Sequence, residues 1–328
     1  MYAPAFLNGF QMLGHEVVCI RYDDYLSNKR FIGNIVNRLQ SRYHYGLLLI
    51  KYNRHIRKVA IEYQPDMIFL YRCYNVWPST IKKLKLKGIT IITYNNDDPF
   101  SGIPSNSYYR YFRSILPLAD INYVYRPKNI NDYKRIGAKN VKILLPYYLK
   151  GQNYRIDSPK AIPVAFLGHF ENDGRDKYIK ELIESDVDVT VFNGSDWEKA
   201  PLYEDIKHVV KAGKRGADYN ETLNKCQIAL VFFSKINSDT YTRRCFEIPV
   251  TKTLMLSQYS DDMNRLFPEN DCAVYFRSEK ELTEKCKYLL ANPKEINRIA
   301  ENGFKRLKEL GGSEVDRCRQ VIDDFNAL

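Results

Sequence analysis

The sequence has no apolar run near the ~20 residues needed to cross a bilayer; Leu47 to Ile50, set among charges, falls far short. Its first residues, Met1-Tyr-Ala-Pro-Ala-Phe, carry neither a basic stretch nor an apolar one, so no secretory signal is expected. The seven cysteines (19, 73, 226, 245, 272, 286 and 318) include no C-x-x-C. An odd, scattered set excludes a disulfide framework or a zinc knuckle and fits a reducing cytosol. No H-E-x-x-H, P-loop or G-x-G-x-x-G is present, so zinc proteases, P-loop NTPases and plain dinucleotide dehydrogenases lose their support. Acidic residues are missing from Tyr25 to Ile61.

What is there is the composition of a globular protein: 45% apolar and 27% charged over 328 residues, a length comfortable for two domains. The net charge is +11. Most of that excess sits in the acid-free window, where Lys29, Arg30, Arg38, Arg42, Lys51, Arg54, Arg57 and Lys58 alternate at helical spacing with Phe31, Ile35, Leu39, Ile56 and Val59. Basic amphipathic helices are expected here. One reading is attraction of residues 29–58 to an anionic membrane surface or a phosphate-bearing substrate; the plainer one is the solvated face of a domain helix. No nucleic-acid-binding module is recognisable, so nucleic acid is not an expected partner.

Short β-branched runs alternate with helical segments. Strands are expected at Glu16–Arg21, Met67–Tyr71, Ile89–Tyr94, Ile121–Tyr125 and Val141–Leu145 in the first half. In the second they are expected at Val164–Leu167, Val187–Phe192, His208–Lys211, Ile228–Phe233, Thr253–Ser257 and Cys272–Phe276. Pro146 to Pro159 has no clear period and reads as a connection. The division expected is a first domain over 1–148, a linker over 149–160, a second domain over 161–310 and a C-terminal helix over 311–328. Alternating strands and helices mean parallel sheets covered on both faces, hence two Rossmann-like α/β domains facing a cleft. The chain opens directly at a helix, Ala3–Leu13 closed by Gly14, where such a domain normally opens with a strand. Either the start lies upstream or the first domain lacks its first strand.

Ligands of these folds sit beyond the carboxyl ends of the strands. The residues there include Arg72, Tyr74, Asn95, Asp97 and Asp98 in the first half. In the second half they include Gly168, His169, Glu171, Ser234 and Asp239. The densest segment is Asn237-Ser-Asp-Thr-Tyr-Thr-Arg-Arg-Cys-Phe-Glu-Ile-Pro249. If it opens a helix, the free amides of that helix start together with Arg243 or Arg244 suit a diphosphate, and Glu247 suits a ribose diol. The plain alternative is a surface helix with a capping threonine. Asp186-Val-Asp188 matches the D-x-D of metal-dependent enzymes but precedes its strand instead of following it, so it is set aside.

Thr242, Arg244, Phe246 and Glu247 fit a T-x-R-x-F-E element. The segments Thr253-Leu-Met-Leu-Ser257, Leu266-Phe-Pro268, Tyr288 to Pro293 and Ile299-Ala-Glu-Asn-Gly303 follow it in order. With these, residues 160 to 310 resemble group 1 glycosyltransferases of the spore-maturation CgeB-like type. Gln64-Pro-Asp-Met-Ile68, Asn96-Asp-Asp-Pro99 and Gly137 to Pro146 are more weakly similar to that family's N-terminal domain. There are two departures. Val250-Thr-Lys-Thr253 stands where relatives usually carry glycine, and Asp239 stands where the wider group has the first of two glutamates eight apart.

The resemblance implies a GT-B fold and transfer of a sugar from a nucleotide-sugar donor to an acceptor hydroxyl, with no catalytic metal and no cofactor beyond the donor itself. It implies donor binding by Gly168, Arg175, Asp239, Thr242, Arg244 and Glu247, with Arg175 on the diphosphate. His169 is then a candidate to meet the leaving group or the sugar, and Asp97 and Asp98 to position or deprotonate the acceptor hydroxyl. The acceptor is unidentified. The location implied is cytoplasmic, peripheral on the inner membrane face if the basic window binds it. A nucleotide-sugar epimerase of similar fold and an inactive surface or spore assembly protein are the alternatives.

Overall fold

A computed structural model describes residues 2–25, 39, 40, 43, 45–102, 107–235 and 237–328. Lys29, Arg30, Arg38 and Arg42 of the basic window, with Phe31 and Ile35, lie outside the described residues. The chain divides into two compact units, Met1–Leu145 with Arg317–Leu328, and Pro146–Asp316.

In the first unit, β1 (Met67–Tyr71), β2 (Thr90–Asn95), β3 (Ile121–Val124) and β4 (Val141–Ile143) form a parallel sheet in sequence order, Tyr71 opposite Tyr94 and Asn95 opposite Val124. β3 is buried at every residue, as expected of a strand covered on both faces. One face packs Ile56 and Ala60 of the helix Leu47–Tyr63 and Ile81 and Leu84 of the helix Pro78–Lys85 against Ile91, Phe112 and Ile115. The helix Tyr2–Met12 brings Phe6 to 4.9 Å from the ring of Phe69 and 5.6 Å from that of Tyr94. The end of the last helix, Glu314–Asn326, is tied to this sheet: Tyr123 donates to Asp324 at 2.5 Å and Gln320 to the Ile143 carbonyl at 2.9 Å. Glu16–Arg21, expected as a strand, is not one; the chain there runs without regular structure into a short 3₁₀ turn, Tyr22–Tyr25. Its side chains are exposed or half-buried, so its β-branched pattern meets no sheet partner.

The second unit holds β5 (Ile162–Leu167), β6 (Val189–Phe192), β7 (Val210–Lys211), β8 (Cys226–Val231), β9 (Leu254–Gln258) and β10 (Val274–Phe276), all parallel, in the order β10-β9-β8-β5-β6-β7. The chain steps outward from β5 to β7, then returns to lay β8 on the other side of β5. That reversal opens the crevice where such sheets take ligands. The core runs from Val164, Phe166 and Ile179 through Ile228 and Leu254 to Phe276 and Leu282.

The expected linker is not loose: residues 149–160 belong to the second unit. Asn220 and Asn224, one turn apart on the helix Gly216–Lys225, hold its backbone through Tyr154 N to Asn220 Oδ1 at 3.1 Å and Ile156 N to Asn224 Oδ1 at 2.8 Å. Two buried amides thus do for an aperiodic segment what a sheet ladder does for a strand. Residues 311–328, expected as one element, are shared between the units at Asp316 and Arg317.

Candidate active site

In the second unit β5 ends at Leu167, and Gly168 follows. The Gly168 amide donates to the Phe192 carbonyl at 3.2 Å, and its carbonyl accepts from Trp197 Nε1 at 2.9 Å. Over it lies Arg244. A Cβ on Gly168 would stand 2.6 Å from Arg244 Nη2 and 2.6 Å from Phe166 Cζ, so only glycine fits beneath the guanidinium as it stands. Arg244 is half-buried, and its Nε donates to the Leu167 carbonyl at 2.6 Å. Among the described residues its Nη groups have no acceptor. A guanidinium anchored at Nε with its fork free, beside the β5–β8 crevice, is equipped to hold a phosphate.

Arg175 is placed differently from the expected phosphate grip. Its side chain is 2% exposed and its donors are used: Nε to Asp173 Oδ1 at 2.9 Å, Nη2 to Asp173 Oδ2 at 2.5 Å and Nη1 to the His169 carbonyl at 2.7 Å. It closes the loop 168–174 from inside. The reason is positional: Gly174 in the left-handed region (φ 95°) turns the chain so that the first side chain of the helix Arg175–Glu184 points back under its own loop.

That loop and the one after β8 are joined by Glu171. Its Oε2 accepts from Ser234 Oγ at 2.6 Å, and its Oε1 lies 2.8 Å from His169 Nε2. Burial alone would raise the Glu171 carboxyl, but the hydrogen bonds from His169 and Ser234 and the Arg175 charge outweigh it and hold it at about 2. An ionised carboxylate only accepts, so His169 Nε2 carries the proton. The half-exposed ring keeps Nδ1 clear of that bond. Lys235 adds a bond from Nζ to the Asp173 carbonyl at 2.7 Å.

The segment after β8 forms the helix Arg244–Val250, but its start is not a free row of amides. Thr242 Oγ1 accepts from Arg244 N at 3.2 Å and the Thr242 carbonyl from Cys245 N at 3.1 Å. The Arg243 carbonyl takes Phe246 N and Glu247 N. The helix start expected to bind a diphosphate is therefore occupied by its own turn, and Arg244 is what remains to do so. Glu247 is buried. Its Oε1 pairs with Arg243 Nε at 2.6 Å and its Oε2 accepts from Tyr219 at 2.9 Å. Burial, then the Glu247 charge, pushes the Tyr219 phenol well up, so it remains a donor. Asp239 sits in the preceding loop, its amide closing on the Ser234 carbonyl at 2.9 Å.

In the first unit Asp97 and Asp98, neighbours in sequence, part company. Asp98 is fully buried: it accepts from Phe100 N at 2.9 Å and Asn129 Nδ2 at 2.9 Å and pairs with Lys128 Nζ at 2.7 Å. Burial would raise its carboxyl; Lys128, Phe100 and Asn129 outweigh that and hold it below its ordinary value. Asp98 is thus a turn cap before Pro99, not the acceptor-facing acid expected. Asp97 keeps 27% of its side chain exposed and pairs with Arg72, and its Oδ2 accepts from Tyr74 at 2.9 Å. Arg72 Nε also donates to the Tyr74 hydroxyl at 2.8 Å. Arg72 stands in the left-handed region (φ 50°), strained for a residue with a Cβ, directly after β1. The strain places its guanidinium over the end of β2, and Tyr108 and Tyr109 pack on Tyr74 at 4.8 and 5.2 Å. Burial and then the Asp97 charge push the Tyr109 phenol up to about 12.

Of the expected residues, then, Gly168, Arg244 and Thr242 meet directly, Glu247 shares their helix, and His169 is bonded to Glu171. Glu171, Ser234, Arg72 and Tyr74 had only their place after a strand to mark them, and Tyr219 had nothing. Among the described residues no group of three or more His, Cys, Asp or Glu side chains is placed to hold a metal ion. No helix among them is long and apolar enough to cross a membrane.

Residues 175–314 match the family model described as glycosyl transferase-like. Solved structures agree across both units. A glycosyltransferase from Rickettsia africae superposes with TM-score 0.65 at 11% identity, covering 99% of this chain and 94% of that one. The Anabaena protein Alr3699/HepE, solved with UDP, gives 0.64 at 12%, covering 85% and 82%. The fold is GT-B. Sucrose-phosphate synthase from Thermosynechococcus elongatus gives 0.62 at 12%, covering 85% and 78%. No curated protein matches the chain by sequence. The matched segment spans less than half of the chain and includes Arg244, while Gly168 precedes it at the carboxyl end of β5.

Proposed function

We propose that this chain is a glycosyltransferase that moves a sugar from a nucleotide-sugar to an acceptor hydroxyl, with the donor bound by the second unit and the acceptor by the first. The observation that carries it is Arg244, anchored on the Leu167 carbonyl with its free fork above Gly168. As the bond from the anomeric carbon to the diphosphate breaks, negative charge grows on the phosphate oxygens. A permanently charged, pre-placed guanidinium meets that charge without reorganisation. HepE, solved with UDP, supports a nucleoside diphosphate as the leaving group.

Glu247 takes the ribose. Its two oxygens are oriented by Arg243 and Tyr219, and each keeps a lone pair for a hydroxyl. His169, with Nε2 committed to Glu171, presents Nδ1 to a hydroxyl of the donor sugar. Asp97, oriented by Arg72 and Tyr74, has Oδ1 left for the acceptor hydroxyl. The diphosphate charge is met by Arg244 and not by a metal ion. The finer likeness to the CgeB-like type rests on the T-x-R-x-F-E residues and the ordered segments that follow them to Gly303.

Titration with UDP and other nucleoside diphosphates, in chelator, tests the donor site. Saturable binding that Arg244→Gln weakens, with the melting temperature nearly kept, is the expected result. A chain that binds none of them refutes the reading. Incubation with nucleotide-sugars then separates the chemistry: slow release of free nucleotide marks a transferase, and an isomerised donor an epimerase.

A further inference from the structure

The outer faces of the helices Leu47–Tyr63 and Pro78–Lys85 enclose an open groove of about 740 Å³ in the first unit. Arg54, Arg57 and Lys58 line it from the first helix, Lys83 from the second and Lys87 from the turn that ends it. Five cations face one acid, Glu62. None of the five pairs with a carboxylate among the described residues, whereas nearby Lys85 is paired with Asp120. Between them stand exposed apolar side chains: Ile61 is 56% exposed and Leu86 87%. The inner faces of the same helices are spent on the core through Ile56, Ala60, Ile81 and Leu84, so fold stability does not explain the outer one.

Unpaired like charges crowded into a groove repel one another, and an exposed leucine costs hydration. A partner that is anionic in a broad layer and apolar just beneath relieves both. We propose that this groove docks the chain on an anionic bilayer, the cations among the headgroups and Leu86 and Ile61 reaching the acyl boundary. The match is one of charge and layering: a surface of alternating basic and apolar side chains is what interfacial binding requires. Sequence spacing points to only part of it, since Lys83, Leu86 and Lys87 join Arg54, Arg57 and Lys58 through the packing of two helices.

The test is sedimentation of the full chain with vesicles of phosphatidylglycerol and phosphatidylcholine, against phosphatidylcholine alone, at low and high salt. It needs no nucleotide, so its outcome is separate from that of the donor reading. Binding confined to the anionic vesicles and lost at high salt is expected. Each cation removed weakens it roughly five-fold, so Lys83→Gln with Lys87→Gln weakens it on the order of twenty-five-fold. Leu86→Ser lowers the affinity while leaving the salt dependence alone. All three positions are exposed, and unchanged circular dichroism verifies the fold. No binding to anionic vesicles at low salt overturns the proposal. So does binding that ignores Leu86→Ser, or equal capture by soluble poly-glutamate, which would assign the groove to an acidic protein segment.

Discussion

Replacing Gly168 by alanine adds one methyl group at the point where the donor reading is most exposed to refutation. The new Cβ would lie 2.6 Å from Phe166 Cζ, 2.6 Å from Arg244 Nη2 and 2.9 Å from Arg244 Cζ. The backbone is fixed by its bonds to Phe192 and Trp197, and the Phe166 ring is wedged against Trp197 at 5.8 Å and Phe232 at 5.1 Å. The side chain with freedom to move is Arg244, and its fork must retreat by roughly 1 Å to reach ordinary contact. Overpacking costs about 1–3 kcal/mol of stability, which leaves the fold intact at low temperature. A misplaced charge-assisted bond costs a further ~1.5–3 kcal/mol of binding, so UDP affinity falls roughly ten- to a hundred-fold. Calorimetric titration of Gly168→Ala, Arg244→Ala and the double variant forms a cycle. With Arg244 truncated, the clash that remains is with Phe166, which lowers stability without touching the phosphate, so the effect of alanine at 168 on affinity should shrink sharply. If the methyl group weakens UDP equally with and without Arg244, or not at all, the phosphate contact is somewhere else.

Three further outcomes follow from the same contacts. Arg175→Ala should lower stability by about 3–5 kcal/mol in urea unfolding, because it strands the Asp173 carboxylate, whose side chain is 7% exposed, whereas Arg244→Ala should leave stability nearly unchanged. Glu171 has a folded value of about 2 against an ordinary 4.5, so its contribution is complete above pH ~4.5 and disappears as pH falls toward 2; Glu171→Gln should flatten that acid limb, by at most about 3 kcal/mol, in unfolding curves taken across it. Asp97→Asn should suppress transfer to an acceptor with nucleotide binding and melting temperature nearly kept, while Asp98→Ala should cost about 2–4 kcal/mol of stability through its three lost partners; reversed behaviour of the two would exchange their roles.

The amino-acid order by itself determined the architecture. Apolar β-branched runs such as Ile228–Val231, separated by helical stretches closed at Gly88, Gly137 and Gly311, leave parallel sheets as the way to bury both strand faces, and the strands at Met67, Ile121 and Ile162 lie within a residue or two of where their periodicity puts them. The same pattern failed at Glu16–Arg21, because periodicity reports an amphipathic segment and not whether a neighbouring strand exists to pair with it. At the candidate site, the sequence marked the loops that follow strands but could not say which side chain in a loop turns inward. Arg175 and Arg244 are both arginines beside glycine-containing turns. Only tertiary packing spends one on Asp173 and leaves the other's fork open above Gly168. Asp97 and Asp98 differ for the same reason: burial beside Lys128 and Asn129 commits one carboxylate, and exposure beside Arg72 frees the other. Hydrogen-bond saturation is a property of three-dimensional neighbours, and those are set by residues far apart in the chain, which no local pattern records.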